Sequence, residues 1–108
     1  MSKPDFEELI VYQLAEKLAN EIWNIVREWD YFEKDTVVKH IVRASDSVCE
    51  NFADVRISRG SLYETFCFLR LAYMRELLTK EQAAKLKPIT DELSPKLNAY
   101  LKSIGNRK

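Results

Sequence analysis

The residues of this chain that could carry out chemistry are one histidine, two cysteines and a scattered set of carboxylates. His40 has no second histidine near it, and Cys49 and Cys67 do not form a CxxC pair. A metal site needs three or four converging donors, and the Glu-x-x-His pattern of di-iron bundles does not occur. As a general base, His40 lacks a well-placed orienting partner, since Asp35 is five residues away. The sequence therefore predicts a protein that is not an enzyme, with no catalytic residues, no metal and no cofactor.

Five arginines are candidates for contact with the phosphates of a nucleic acid, provided that the second and third predicted helices are neighbours. They are Arg43, Arg56, Arg59, Arg70 and Arg75. Phosphate binding needs such cations on one surface. Acidic residues are interleaved with these arginines, and that pattern is typical of a solvated face with weak ion pairs. The acids are Asp46, Glu50, Asp54, Glu64 and Glu76.

Other polar and aromatic side chains could serve either packing or recognition. Ser47 and Asn51 lie four residues apart, on one face of a helix. They form either a patch that contacts a partner or a hydrogen-bonded pair that ties this helix to its neighbour, and we favour the second interpretation. Trp23, Trp29 and Tyr12 are expected to anchor the core or an interface rather than stack on bases, because lysines and arginines do not surround them.

Composition narrows the class of protein further. The 108 residues contain 17 Lys and Arg and 17 Asp and Glu, so the net charge is zero. This balance gives no support for a strongly basic nucleic-acid binder and lowers the electrostatic barrier to self-association. The two glycines are isolated, so no phosphate-binding loop or small-molecule substrate is predicted. With no signal-like start and no apolar run of spanning length, we expect a cytoplasmic protein, away from membranes, with two reduced and mostly buried thiols.

Helical periodicity predicts an all-α protein, an antiparallel up-down-up-down four-helix bundle that forms a single domain over 1–108. The predicted helices are 5–29, 36–55, 61–78 and 80–104. Ser61 with Glu64 and Thr79 with Gln82 have the spacing of capping boxes, and 56–60 is the predicted break between the second and third helices. Bends are expected at Pro88 and Pro95 in the fourth helix.

Apolar residues at spacings of three and four predict the inner face of each helix. In the first helix they are Val11, Ala15, Leu18, Ile22, Ile25 and Trp29. In the second they are Val38, Ile41, Ser45, Val48 and Phe52. In the third they are Leu62, Phe66, Leu69, Tyr73 and Leu77. In the fourth they are Leu86, Ile89, Leu93, Leu97, Tyr100 and Ile104.

Four segments, in order, resemble the ribosomal-RNA intervening-sequence protein family, a bacterial family of four-helix-bundle proteins. They are Phe6 through Leu18, Lys34 through Asn51, Arg59-Gly60-Ser61-Leu62-Tyr63-Glu64-Thr65, and Leu77 through Gly105. The resemblance implies a helical bundle that assembles as a ring, usually a pentamer. Some members are encoded within insertions in large-subunit ribosomal RNA genes, and a related branch assists a reverse transcriptase and binds nucleic acid through a basic surface. The family provides no catalytic residues to transfer.

The chain departs from the family pattern after Asn51. The family continues with Ala-Glu-Gly, whereas this chain has Ala53-Asp54-Val55 and then reaches its Arg-Gly-Ser segment early. We therefore expect a shortened hairpin of helices 2 and 3, which would leave apolar residues at the end of the bundle only partly covered. An exposed patch of this kind is a candidate oligomer interface. Its residues are Phe6, Leu9, Ile10, Tyr12, Leu97, Tyr100, Leu101 and Ile104.

Two functions remain open from the sequence. The first is a self-assembling structural or protein-interaction module, a homo-oligomer that binds protein partners. The alternative is a nucleic-acid-associated accessory protein that binds RNA or DNA. Charge geometry distinguishes them, because the second needs the five arginines, with Lys102, Arg107 and Lys108, to share one face of the assembly.

Overall fold

The part of the chain that the structure describes contains four helices, connected in simple order along the sequence. In the computed structural model the described residues are 6–29, 37–51 and 54–105, and the side chains of Phe6, Glu7, Val55, Ile104 and Gly105 are not described. The helices are α1 (Phe6–Val26), α2 (Lys39–Glu50), α3 (Val55–Met74) and α4 (Lys80–Gly105). They form the predicted all-α antiparallel bundle, and the described ranges contain no strand. With 12 residues against 21 in α1 and 26 in α4, α2 is the element that shortens the α2–α3 hairpin.

Packing within the bundle is uneven. Helix α1 packs against both α2 and α4, and α2 packs closely against α3. By contrast, α3 and α4 make the fewest contacts of these helix pairs, although only a short turn joins them. The bundle is 47 Å long and about half as wide, at 22 × 21 Å. Three of its four seams are therefore closed, and the α3–α4 seam is open.

The core is built mainly from α1 and α4, as the apolar spacing predicts. All six predicted inner residues of α1 are buried, and five of the six in α4 are buried as well. Removing these side chains from water is the main favourable term in folding, at roughly 25 cal/mol per Å² of apolar surface. Helix α4 continues without interruption through Pro88 and Pro95. The sixth residue, Ile104, lies outside the side chains described, and so does Phe52 of the predicted α2 face.

The predicted break at 56–60 is wrong, because these residues form the first turns of α3. Helix α2 ends at Glu50, five residues before its predicted end at 55, and Asn51 occupies its C-cap. The Asn51 amide donates to the Ser47 carbonyl and, at 2.9 Å, to the Ser47 hydroxyl. Gly60 is accordingly a helical residue, and the predicted capping box that starts at Ser61 does not form a helix start.

The predicted inner face of α3 is confirmed only in part. Of its five residues Leu62 is buried, Phe66, Leu69 and Leu77 are half-buried and pack against the core, and Tyr73 is exposed. The buried face consists instead mostly of small or hydroxylated side chains, namely Ser58, Ser61, Leu62, Thr65 and Ala72. Small side chains let two helix backbones approach closely, and their hydroxyls find partners there. This face packs on α2 and rotates the large apolar residues of α3 toward the α3–α4 seam.

The turn between α3 and α4 is defined by two capping motifs. The amide of Leu77 donates to the Ala72 carbonyl at 2.9 Å and the amide of Glu76 to the Tyr73 carbonyl at 3.1 Å, which is the Schellman pattern. Glu76 takes the left-handed conformation that this motif requires, with φ of 64°. The predicted capping box of Thr79 and Gln82 is confirmed by reciprocal bonds of 3.0 and 3.1 Å.

Candidate functional site

An apolar groove runs along the outside of the bundle where α3 and α4 fail to close. We call it the open groove; its walls are Phe66, Leu69 and Tyr73 from α3 and Leu78, Ala83 and Leu86 from the turn and α4. Its volume is about 400 Å³. The α3 residues of this wall were predicted to face the core. The groove exists because the hydroxylated face of α3 occupies that core position and leaves the larger side chains beside it.

The open groove continues past both of its ends. Toward the turn, a second depression shares Tyr73 and Leu78 and reaches Lys80. In the other direction, a third depression shares Phe66 and reaches Pro95. At 1.5 Å per helical residue, the stretch of α4 from Lys80 to Pro95 makes the combined groove about 22 Å long. A groove of this length accommodates about four turns of a helix.

The rim of the open groove carries positive charge near its middle. Arg70 of α3 and Lys87 of α4 lie on this rim, with Asp91 beside them. The Lys87 ammonium lies 2.9 Å from the Asp91 carboxylate, and both side chains are largely exposed. Exposed pairs of this kind contribute little and can exchange partners.

A second apolar surface lies on the outside of α1, on residues that repeat at helical spacing. Leu9, Tyr12 and Trp23 are exposed there, with Glu16 between them on the same face. We call these four residues the α1 stripe. Trp23 was expected to anchor the core or an interface, and its exposed fraction of 52% excludes the core of this chain.

The predicted oligomer-interface residues divide into two groups. Leu9 and Tyr12 are exposed and Ile10 and Leu101 are half-buried, as a partly covered patch requires. The predicted partial exposure of Leu97 and Tyr100 is wrong, because they are 1% and 6% exposed and belong to the core of this chain. The side chains of Phe6 and Ile104 lie outside the described residues. A role of these residues in assembly stays a prediction.

The five candidate arginines do not all share one surface. Arg56, Arg59 and Arg70 are exposed on α3, at positions that a period of 3.6 residues places on its outer face. Arg43 instead lies between α2 and α3, and Arg75 is the C-cap residue of α3. Of the remaining cations named with them, Lys102 is exposed on α4, and Arg107 and Lys108 lie outside the described residues.

The outer face of α3 also holds an aromatic side chain between its arginines. The Arg59 guanidinium lies 5.5 Å from the centre of the Tyr63 ring and donates to the Tyr63 hydroxyl at 3.2 Å. The remaining positions of this face are Gly60, Cys67 and Met74, so its α3 residues include no carboxylate. We call Arg56, Arg59, Tyr63 and Arg70 the basic stripe. The acids interleaved in the sequence thus lie off this face of the helix.

A polar cleft of about 430 Å³ separates the exposed edges of α2 and α3. Ser47 and Asn51 line it together with Ser61, whose hydroxyl lies 2.7 Å from that of Ser47. Ser47 and Asn51 do form a hydrogen-bonded pair, but only Ser47 ties α2 to α3, so the favoured interpretation is confirmed in part. The cleft also holds Arg43 between the carboxylates Glu50 and Glu64. Its charges are mixed, so it gives an anion no net attraction.

His40 and the two thiols occupy different surroundings. The His40 ring stacks on Phe68 with centroids 5.2 Å apart, and among the described residues no group of three His, Cys, Asp or Glu side chains could hold a metal ion. Cys49 is half-buried, and burial, with Glu16, Asp46 and Glu50 nearby, raises the pKa of its thiol to about 11. Cys67 is exposed, so the prediction of two mostly buried thiols is wrong for it.

Comparison with known proteins finds no matching family model, no matching curated protein and no matching solved structure. Within the described part of the chain, none of the helices combines the length and the apolar character needed to cross a bilayer.

Proposed function

We propose that this protein is a non-enzymatic helical bundle that assembles with copies of itself and acts as a structural or protein-interaction module. The observation that carries the proposal is the open groove. Phe66, Leu69 and Leu86 form a continuous apolar surface at the one seam where the bundle does not close. An apolar surface of this kind gains free energy when a further helix covers it.

Three further features support this function. The α1 stripe is a second exposed apolar surface, on the side of α1 that faces away from the core. The net charge of zero leaves little repulsion between copies. The resemblance to the intervening-sequence family implies assembly as a ring. We further propose a cytoplasmic location, since Cys49 and Cys67 are free thiols.

Sedimentation velocity across a hundredfold range of protein concentration tests the proposal. We expect one defined oligomer that dissociates on dilution, because a specific interface has a single stoichiometry. A compact monomer throughout the range would contradict self-assembly. A broad, continuously growing distribution would indicate non-specific aggregation and would contradict it as well.

The basic stripe favours a second candidate, a nucleic-acid-associated accessory role. Arginines interleaved with an aromatic side chain suit an RNA or DNA strand, because guanidinium groups bind phosphates and the ring stacks on bases. Arg56, Arg59 and Arg70 meet this description and Arg43 and Arg75 do not, so the candidate contact is smaller than the sequence predicts.

Binding of a structured RNA at several salt concentrations tests this candidate. The Arg59→Gln variant should bind more weakly and reduce the slope of log affinity against log salt by about one, as expected when one phosphate contact is lost. The matched control is Arg75→Gln, which removes a cation from the same helix away from the basic stripe. Equal effects of the two variants, or no binding at 50 mM salt, would argue against the candidate.

A further inference from the structure

We propose that the α1 stripe of one copy occupies the open groove of the next copy, so that the assembly is held by a repeated head-to-tail contact. This inference rests on the proposed self-assembly and assigns the two surfaces that form the contact. The occupant of the groove is thus a second copy of this chain, presented as a helix.

The two surfaces match in length. The α1 stripe extends from Leu9 to Trp23, which is 14 helical steps or about 21 Å of helix. The combined groove extends along α4 from Lys80 to Pro95, about 22 Å by the same measure. A helix laid in a groove between two others makes contact through residues spaced three and four apart, as Leu9, Tyr12 and Glu16 are.

The two surfaces also match in charge. Glu16 stands at the midpoint of the α1 stripe and is exposed. Lys87 stands at the midpoint of the α4 wall of the groove, 2.9 Å from Asp91, and with Arg70 on the α3 side these three groups leave one net positive charge. Because Glu16 and this net charge are both central, Glu16 meets it whichever direction the docked helix takes and can replace Asp91 as the exposed partner of Lys87. The aromatic residues of the stripe then cover the apolar walls on either side.

The contact joins two different surfaces of the same chain, so each copy keeps one free stripe and one free groove after pairing. Contacts of this kind close into a ring or extend as an open chain, and the single stoichiometry expected of this protein requires the ring. They also allow a direct test, because a copy that lacks one surface can still pair through the other.

The experiment uses two variants that each damage one surface. Trp23→Glu places a charge in the α1 stripe, and Tyr73→Glu places one in the open groove; both residues are about half exposed, at 52% and 45%. Ile57→Glu is the matched control, since Ile57 is 48% exposed on α3 and lines neither the groove nor its two extensions. Sedimentation equilibrium and circular dichroism are measured on each variant and on mixtures.

We expect Trp23→Glu and Tyr73→Glu to be folded monomers and the control to assemble as the parent does. An equimolar mixture of the two defective variants should form a 1:1 heterodimer, because the groove of the first accepts the stripe of the second. Loss of assembly in both variants without heterodimer formation would overturn the pairing and indicate that each surface meets its own kind. Assembly unaffected by both variants would also overturn it, while leaving the proposed self-assembly intact. A monomeric parent protein would contradict both this inference and the proposed self-assembly.

A milder pair of exposed variants keeps the inference testable if either substitution prevents folding. Glu16→Lys should weaken assembly about fivefold, the scale expected of an exposed ion pair. Lys87→Glu should weaken it similarly, and combining the two in one chain should restore the parent affinity. Additive losses in the double variant would overturn the central charge contact and, with it, the assigned register.

Discussion

Hydroxyl groups make the most specific contacts between α2 and α3. The Ser58 hydroxyl donates to the Val48 carbonyl at 2.8 Å, and the Ser61 hydroxyl lies 2.7 Å from that of Ser47. The Thr65 hydroxyl donates to the Ser61 carbonyl of its own helix. Each bond contributes about 1 kcal/mol, but a buried hydroxyl without its partner would cost more than that. These side chains therefore select one rotation of α3 about its axis.

The two thiols should differ sharply in reactivity toward an alkylating agent. With a pKa of about 11, Cys49 is about one part in a thousand thiolate at pH 8, against about one in ten at its ordinary value of 9.0. Cys67 is exposed and should be modified first. Peptide mass spectrometry after timed alkylation measures both rates, and urea-unfolded protein, in which the two should react alike, is the control. Faster modification of Cys49 in the folded chain would contradict this account.

Replacing Asp46 with Asn should stabilise the protein at neutral pH. Burial, and then the carboxylate of Glu50, raise the pKa of Asp46 above 3.8. A raised pKa means that the ionised form is less favourable in the fold than in the unfolded chain, so the penalty is present above the folded pKa and absent below 3.8. We expect a gain of about 0.5 kcal/mol at pH 7, the scale of a like-charge pair four residues apart, and none at pH 3.

Chemical denaturation at the two pH values measures this effect. Asp91→Asn is the matched control, because the Asp91 carboxylate accepts a hydrogen bond from Lys87 at 2.9 Å. This variant should lower the unfolding free energy by a few tenths of a kcal/mol at pH 7. Stabilisation of equal size at both pH values would mean that charge is not the cause.

At the scale of the helices, Gly60 is placed where glycine is not needed. It lies in the second turn of α3, exposed, and an added Cβ would meet nothing within 4 Å. Glycine within a helix costs roughly 0.5–1 kcal/mol relative to alanine. Gly60→Ala should raise the unfolding free energy by that amount, and Ala84→Gly in α4 should lower it similarly. If Gly60→Ala were destabilising, the chain would break at Gly60 after all.

Glu76 presents the opposite situation, a position that favours glycine but lacks it. Its φ of 64° costs a residue with a side chain about 1–2 kcal/mol. Glu76→Gly should therefore stabilise the α3–α4 turn by about 1 kcal/mol, whereas Glu76→Ala, which retains the strained φ, should have little effect. Thermal unfolding of both variants measures the difference, and equal melting temperatures would contradict the left-handed conformation.

The unfolding of the whole molecule should depend on its concentration. Because an occupied open groove exists only in the folded state, assembly adds to the stability of each copy. A hundredfold increase in protein concentration should add up to about 2.7 kcal/mol and raise the melting temperature by roughly 10 °C. Reversible scans at both concentrations test this, and superimposable transitions would contradict coupling between assembly and folding.

The sequence is sufficient to predict the fold but not the site. The 3/4 spacing of residues such as Leu18 and Leu93 identifies α1 and α4, because large apolar side chains have no alternative to burial. Helix α3 is harder to predict, because Ser58 and Ser61 are buried with hydrogen bonds to α2 and Thr65 with one to its own helix, and an apolar pattern does not reveal such residues. The spacing of these three residues, three and then four apart, was the signal in the sequence that could have identified the buried face of α3.

Two features of the structure could not be predicted from the sequence. Helix α3 begins at Val55 rather than at 61, which adds about 9 Å to α3, while α2 ends five residues early. Leu97 and Tyr100, which the sequence predicts to be partly exposed, are buried in the core. The open groove depends on the distance between α3 and α4, and the spacing of residues in a single sequence does not predict that distance.

The pairing of α1 with α4 sets the order in which this chain can fold. The α2–α3 contact joins residues close together in the sequence, whereas α1 and α4 are separated by more than fifty residues along it. Closing that long loop is entropically costly before any contact compensates, so the hairpin should form early and the α1–α4 pairing late. Substitutions at Ser58 should thus slow folding, while substitutions at Leu93 should mainly speed unfolding. The hydroxyl groups that orient α3 in the folded bundle would then also stabilise the α2–α3 hairpin in the first step of folding.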